Sequence, residues 1–197
     1  YVMSFKVAEK EHISQRFALP QQIKDRRAMV NSRLKELGVE ILTEEEATEY
    51  AFRYTLRYHG DMHRMADYIE DIEGAEIMSL GQGLELIKDL GDADVVSNQY
   101  NLGDFNGSHA IGHTRMATES DVDIRSAHPY WAYPFNDVSV VHNGQLTNYW
   151  KWRRKMEHRG HRFMSHCDSE LIAVYLADKM ENNIELEEAM HDSLDEL

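Results

Sequence analysis

The chain has little that would tie it to an oxidising compartment, a membrane or a polyanion. Cys167 is the single cysteine among 197 residues, so no intrachain disulfide can form and the expected setting is cytoplasmic. The longest apolar run, Leu171 to Ala177, is far too short to span a bilayer. Basic residues are scarce: 21 Lys and Arg stand against 35 Asp and Glu, a formal charge of −14. That balance argues against nucleic acid and anionic membrane as partners. Repeats and low-complexity segments are absent. No initiator Met stands at position 1, and Tyr1 to Val7 reads as a strand rather than a signal peptide. A helical pattern still runs at Leu197, so the chain reads as a piece of a longer protein.

What is present is an ordinary globular composition, 42% hydrophobic and 28% charged, at a length that suits one large domain or two small ones. Tyr1, Met3, Phe5 and Val7 alternate as one face of a strand. A helix is expected from Pro20 to about Leu37, with Ile23, Val30, Leu34 and Leu37 inward and Gly38 as its stop. Val39 to Leu42 reads as a short strand. Thr43 to Glu46 matches a helix capping box, but Tyr50, Phe52, Tyr54, Leu56 and Tyr58 alternate with Ala51, Arg53, Thr55, Arg57 and His59. The strand period wins, and residues 49–59 are assigned to a strand. Asp61 to Glu73 is a helix with Met62, Met65, Ile69 and Ile72 on one stripe, and Ala75 to Leu80 is a strand. The order βαββαβ over residues 1–80 is the ferredoxin-like arrangement. A short helix is expected at 84–90, a polar loop at 91–108, strands at 109–114 and 138–142, and helices near 146–159, 169–181 and 185–197. The domain boundary falls near residue 81.

Three clusters in the second half carry chemistry. They are Gly112-His113-Thr114-Arg115-Met116-Ala117-Thr118, followed by Ala127-His128-Pro129; His142-Asn143-Gly144-Gln145-Leu146-Thr147-Asn148; and Cys167-Asp168-Ser169-Glu170. Each has a plain structural account. Arg115 could be a surface charge, Asn143-Gly144 a hairpin turn, and Asp168 a helix N-cap with Glu170 favoured by the helix dipole. Together they suit an amino-acid zwitterion. Arg offers a planar fork to a carboxylate, a fixed carboxylate suits an ammonium, and an Asn amide beside a Gly N–H can serve a developing oxyanion.

In this order, G-H-T-R-x-A-T, A-H-P, H-N-G-x-L-x-N and D-S-E resemble the class II, N-terminal-nucleophile glutamine amidotransferase domain over about residues 82–190. The resemblance implies an α+β fold, an αββα sandwich of the N-terminal-nucleophile hydrolase type. That sandwich is incomplete here, with residues 1–80 as an inserted ferredoxin-like βαββαβ segment and 81–197 as the partial core. It implies that Arg115 holds the α-carboxylate of L-glutamine and Asp168 its α-ammonium. Asn143 and the Gly144 N–H would form the oxyanion hole, and Thr118 and His128 would line the pocket. No cofactor or metal is implied. The partner implied is a synthase domain or subunit that accepts ammonia, in a hetero- or homo-oligomer.

The family's nucleophile is an N-terminal cysteine, and position 1 is Tyr. Cys167 lies inside the D-S-E motif without a free α-amino group and does not replace it. The segment alone is therefore expected to be inactive, and the full-length protein to release ammonia if an upstream cysteine is supplied. Met116 departs from the aromatic residue frequent in the family. The large insert ahead of G-H-T-R-M-A-T most resembles glutamate-synthase-type subunits. Against these stands a non-catalytic assembly or ligand-sensing domain that keeps the fold. His158, His161, His166 and Cys167 fit no standard zinc spacing, and the Trp150 to Arg162 stretch mixes bases and aromatics over several helix faces, as a solvated surface does.

Overall fold

The computed structural model describes residues 1–7, 19–114, 124–133 and 137–197. They form two compact units, Tyr1–Asn106 and Gly107–Leu197, each mixing helices with antiparallel strands.

In the first unit, β1 (Val2–Lys6), α1 (Leu19–Glu36), β2 (Glu40–Glu46), β3 (Ala51–Arg57), α2 (Met62–Glu70) and β4 (Glu76–Gly81) follow in turn. The strands make one antiparallel sheet in the order β2-β3-β1-β4. Phe5 packs between Phe52 and Tyr54, with ring centroids 5.5 and 4.9 Å away. Val30 and Leu34 of α1, and Met65, Ala66 and Ile69 of α2, are buried, which accounts for their helical spacing. Gly38 and Gly74 end these helical stretches at φ of +73° and +79°, where a Cβ would strain the backbone.

The capping-box residues Thr43 to Glu46 lie within β2. Their carboxylates meet arginines of neighbouring elements: Glu45 pairs with Arg53 at 3.1 Å and Glu44 with Arg27 at 3.1 Å. Glu40 at the strand's start likewise meets Arg57 at 2.7 Å. Tertiary charge pairing and the ladder to β3 thus override the local helix signal.

The helix expected at 84–90 is not formed. The stretch is irregular and tied to the sheet: the Leu86 N–H donates to Ser79 Oγ at 3.1 Å, and Lys6 Nζ donates to the Lys88 carbonyl at 2.8 Å. Lys6 also faces Asp89 at 3.3 Å, with side chains 4% and 0% exposed. Asp89 accepts hydrogen bonds from the Tyr50 and Tyr100 hydroxyls at 2.7 and 2.8 Å. Within the stretch expected to be a loop, α3 (Ala93–Gln99) forms, capped by Asp92, whose carboxylate accepts the Val95 N–H at 2.9 Å. Val96 packs with Tyr50 and Tyr100, so the compact unit runs on to Asn106, past the boundary expected near residue 81.

The second unit has β5 (Tyr130–Trp131), β6 (Ser139–Val140), α4 (Tyr149–His158), α5 (Asp168–Glu181) and α6 (Leu186–Glu196). The strand expected at 109–114 is absent: no described strand pairs with it, and Ile111 is exposed. Helix α5 is buried on nearly every side, with Leu171, Ala173, Tyr175 and Ala177 fully enclosed. It packs on α4, α6 and both strands. Lys179 joins α5 to α6 through Asp192 and Glu196, each at 2.9 Å. Trp152 of α4 packs edge-on against Tyr175, and its Nε1 donates to the Glu196 carbonyl at 2.8 Å. No helix among the described residues is long and apolar enough to cross a membrane.

Candidate functional site

The β5–β6 ladder pairs Tyr130 with Val140 and Trp131 with Ser139. Antiparallel pairing brings the residues just before β5 and those just after β6 to one end of the ladder. His128 stands on the first side, and His142-Asn143-Gly144 on the second. Two short strands have little stability alone. These two are held by packing of Tyr130, Ala132 and Val140 on Ala173 and Ala177 of α5. His128 is buried, stacked on His113 at 4.4 Å and met edge-on by Tyr130 at 4.7 Å. The Tyr130 hydroxyl donates to the Ser126 carbonyl at 2.6 Å.

Asn143-Gly144 is not a hairpin turn. The chain leaves β6 and passes through this exposed pair into α4, with no return strand. Nor does Asp168 cap α5. Cys167 holds the N-cap position without a capping side-chain bond, and Asp168 is the first helical residue. Its carboxylate turns instead to the Asn-Gly loop, accepting the Leu146 N–H at 2.6 Å. His142 Nδ1 lies 3.0 Å from Ser169 Oγ. Two of the three sequence clusters are therefore joined directly, and the carboxylate sits at a helix N-terminus, where negative charge is favoured. Arg115 and Thr118 lie outside the described residues.

The sequence reading gave Glu170 only a helix-dipole role. The structure gives it more. Its buried carboxylate accepts the Met164 and Ser165 N–H groups at 2.6 and 2.8 Å and the Ser165 hydroxyl at 2.7 Å. Ser165 Oγ in turn accepts the Cys167 N–H at 3.1 Å, and Arg153 of α4 donates to the Ser165 carbonyl at 2.7 Å. Arg153 also reaches the Tyr149 hydroxyl, whose pKa burial pushes up against the pull of that guanidinium. This network sets the entry into α5 and hence the direction of Asp168. Glu170→Gln, which turns an amide donor toward these donors, is expected to destabilise the fold by about 1–3 kcal/mol. Urea unfolding of the variant checks this; a midpoint equal to wild type would remove Glu170 from the framework.

Among the described residues no group of three or more His, Cys, Asp or Glu converges on a metal-sized site. His161 is engaged with Asp178 at 2.9 Å.

A histidine-flanked strand pair, an Asn-Gly loop leading into a helix, and an acidic residue opening a buried helix all lie within one segment. Residues 113–192 match the family of glutamine amidotransferase domains. Among the relatives, a protein of Methanothermobacter thermautotrophicus provisionally named a glutamine amidotransferase is 39% identical over 148 residues, 75% of this chain and 48% of the relative. The glutamine amidotransferase-like protein GlxB of Rhizobium meliloti is 38% identical over 121 residues, 61% of this chain and 40% of the relative. A glutamine–fructose-6-phosphate aminotransferase of Methanothermobacter thermautotrophicus is 32% identical over 114 residues, 58% of this chain and 19% of the relative. The chain spans less than half the length of each of these relatives.

Proposed function

We propose that the full-length protein binds L-glutamine and releases ammonia from it for a partner synthase, by the N-terminal-nucleophile route. The observation that carries this reading is the Asn143-Gly144 loop pinned to Asp168 through the Leu146 N–H at 2.6 Å. An oxyanion donor pair and an ammonium-binding carboxylate thereby share one rigid frame. Arg115 takes the glutamine α-carboxylate, Asp168 the α-ammonium, and Thr118 and His128 line the pocket. A cysteine outside this segment supplies the thiolate. The thiolate attacks the side-chain amide carbon, and Asn143 with the Gly144 N–H holds the oxyanion. The C–N bond then breaks, the nitrogen takes a proton and leaves as ammonia, and water clears the glutamyl thioester to glutamate.

The strand order β2-β3-β1-β4 supports reading residues 1–80 as a ferredoxin-like segment. We propose further that it is an insert within an αββα sandwich core, in a cytoplasmic amidotransferase of the glutamate-synthase-like subgroup. The test is ammonia release by the full-length protein. Arg115→Ala should raise KM for glutamine roughly 10–100-fold, the range for losing one charge-assisted contact. An unchanged KM would refute the assignment of Arg115, and a wild-type protein without glutaminase activity would refute the function.

A further inference from the structure

The second tether between the Asn-Gly loop and α5 has no place in the mechanism so far. Ser169 Oγ stands 3.4 Å from Asp168 Oδ1, positioned to donate to it, and 3.0 Å from His142 Nδ1. A hydroxyl that donates to the carboxylate offers its lone pairs to the imidazole, which assigns the Nδ1–H tautomer to His142. The Nε2–Cε1 edge of that ring lies against Gly144. A methyl group built on Gly144 would stand 2.6 Å from His142 Nε2 and 3.0 Å from Cε1. Ser169 is buried, 2% exposed, so its hydroxyl has no bulk water to turn to.

The geometry points to His142 and Ser169 as positioning residues, a relay that registers the oxyanion loop against the Asp168 anchor. His142 touches no reacting atom in this scheme. It acts through Gly144, whose backbone it packs against, and through Ser169, which fixes the ring's rotation. The chain His142 Nδ1–H to Ser169 Oγ–H to Asp168 Oδ1 makes the ammonium site and the oxyanion site one mechanical element. A side chain at position 144 would have to displace the His142 ring. The relay rests on the amidotransferase reading of the site.

The test uses the full-length protein and glutamine hydrolysis. His142→Ala and Ser169→Ala should each lower kcat about tenfold, the kinetic equivalent of one buried hydrogen bond, with KM changed less than about threefold. The double variant should fall no further than either single one, because both remove the same link. His142→Asn, whose amide can stand where Nδ1–H stood, should recover kcat to within about threefold of wild type, whereas His142→Gln should not. Losses that multiply in the double variant, or an Asn variant no better than Ala, would overturn the relay while the glutaminase assignment stands. So would losses confined to KM, or losses that track a fall in the unfolding midpoint. A wild-type protein that neither binds nor hydrolyses glutamine would overturn the function and the relay together.

Discussion

Asn143→Ala in the full-length protein is expected to lower the turnover of glutamine hydrolysis about 10²–10³-fold, the usual scale for one oxyanion donor. Its thermal unfolding should be unchanged. The second expectation follows from exposure: Asn143 is exposed in a loop whose course is fixed by its neighbours. Leu146 is held by Asp168 and His142 by Ser169, so trimming the amide leaves the loop in place. Were Asn143 only a turn residue, the same substitution would be silent in turnover. Steady-state kinetics with glutamine decide the matter, and a turnover within twofold of wild type would sink the oxyanion role.

The largest stability effect is expected at Asp89. Its carboxylate is buried against Lys6 and accepts both tyrosine hydroxyls and the Leu90 N–H. Burial by itself pushes its pKa up. The Lys6 ammonium and these donors outweigh that and hold it below the ordinary carboxylate value. Tyr50 and Tyr100 are pushed up, by burial first and by the hydrogen bond to and charge of Asp89 next. Asp89→Asn keeps the shape but removes one charge of the buried Lys6–Asp89 pair, which costs about 3–5 kcal/mol in comparable pairs. Urea unfolding of the variant should show that loss; a change under about 1 kcal/mol would mean the cluster is not a keystone of the first unit. The pH dependence has a fixed sign. A carboxylate whose folded pKa is depressed contributes stability above its unfolded value and loses it as pH falls through the folded one. Wild-type stability should therefore decline in acid below the usual carboxylate range, and the decline should be shallower in Asp89→Asn.

Much of the fold was legible because it rests on period. The alternation from Tyr50 to Tyr58 gave β3, and the stripe of Met62, Met65 and Ile69 gave α2. The helix expected at 169–181 is α5, although its burial on nearly every side departs from the amphipathic helix expected there. What failed depended on distant partners. Leu84 to Leu90 has helix-like spacing, but Ser79 on the preceding strand and Lys6, far back in the chain, tie it down outside any helix. Asp92 was a readable cap, three residues before the Val95 N–H it satisfies, within a stretch too polar to suggest a helix. In the site, residue order indicated that the clusters belong together but not how. No local pattern tells that Asp168 faces Leu146, that Glu170 supports the turn before it, or that His142 meets Ser169. These are contacts between segments about five to twenty-seven residues apart, and only the packing of β5, β6 and α5 creates them.

The placement of the indoles has a practical consequence. Trp131 and Trp152 are buried and Trp150 is 63% exposed, and all of the chain's three tryptophans fall in Gly107–Leu197. Tryptophan emission thus observes the site-bearing unit alone, with the buried Trp131 and Trp152 as its blue-shifted components. The first unit is silent in this channel and speaks only through tyrosine and far-ultraviolet dichroism. The two signals can be followed side by side in one titration, so that damage at Asp89 and damage at Glu170 would carry different optical signatures.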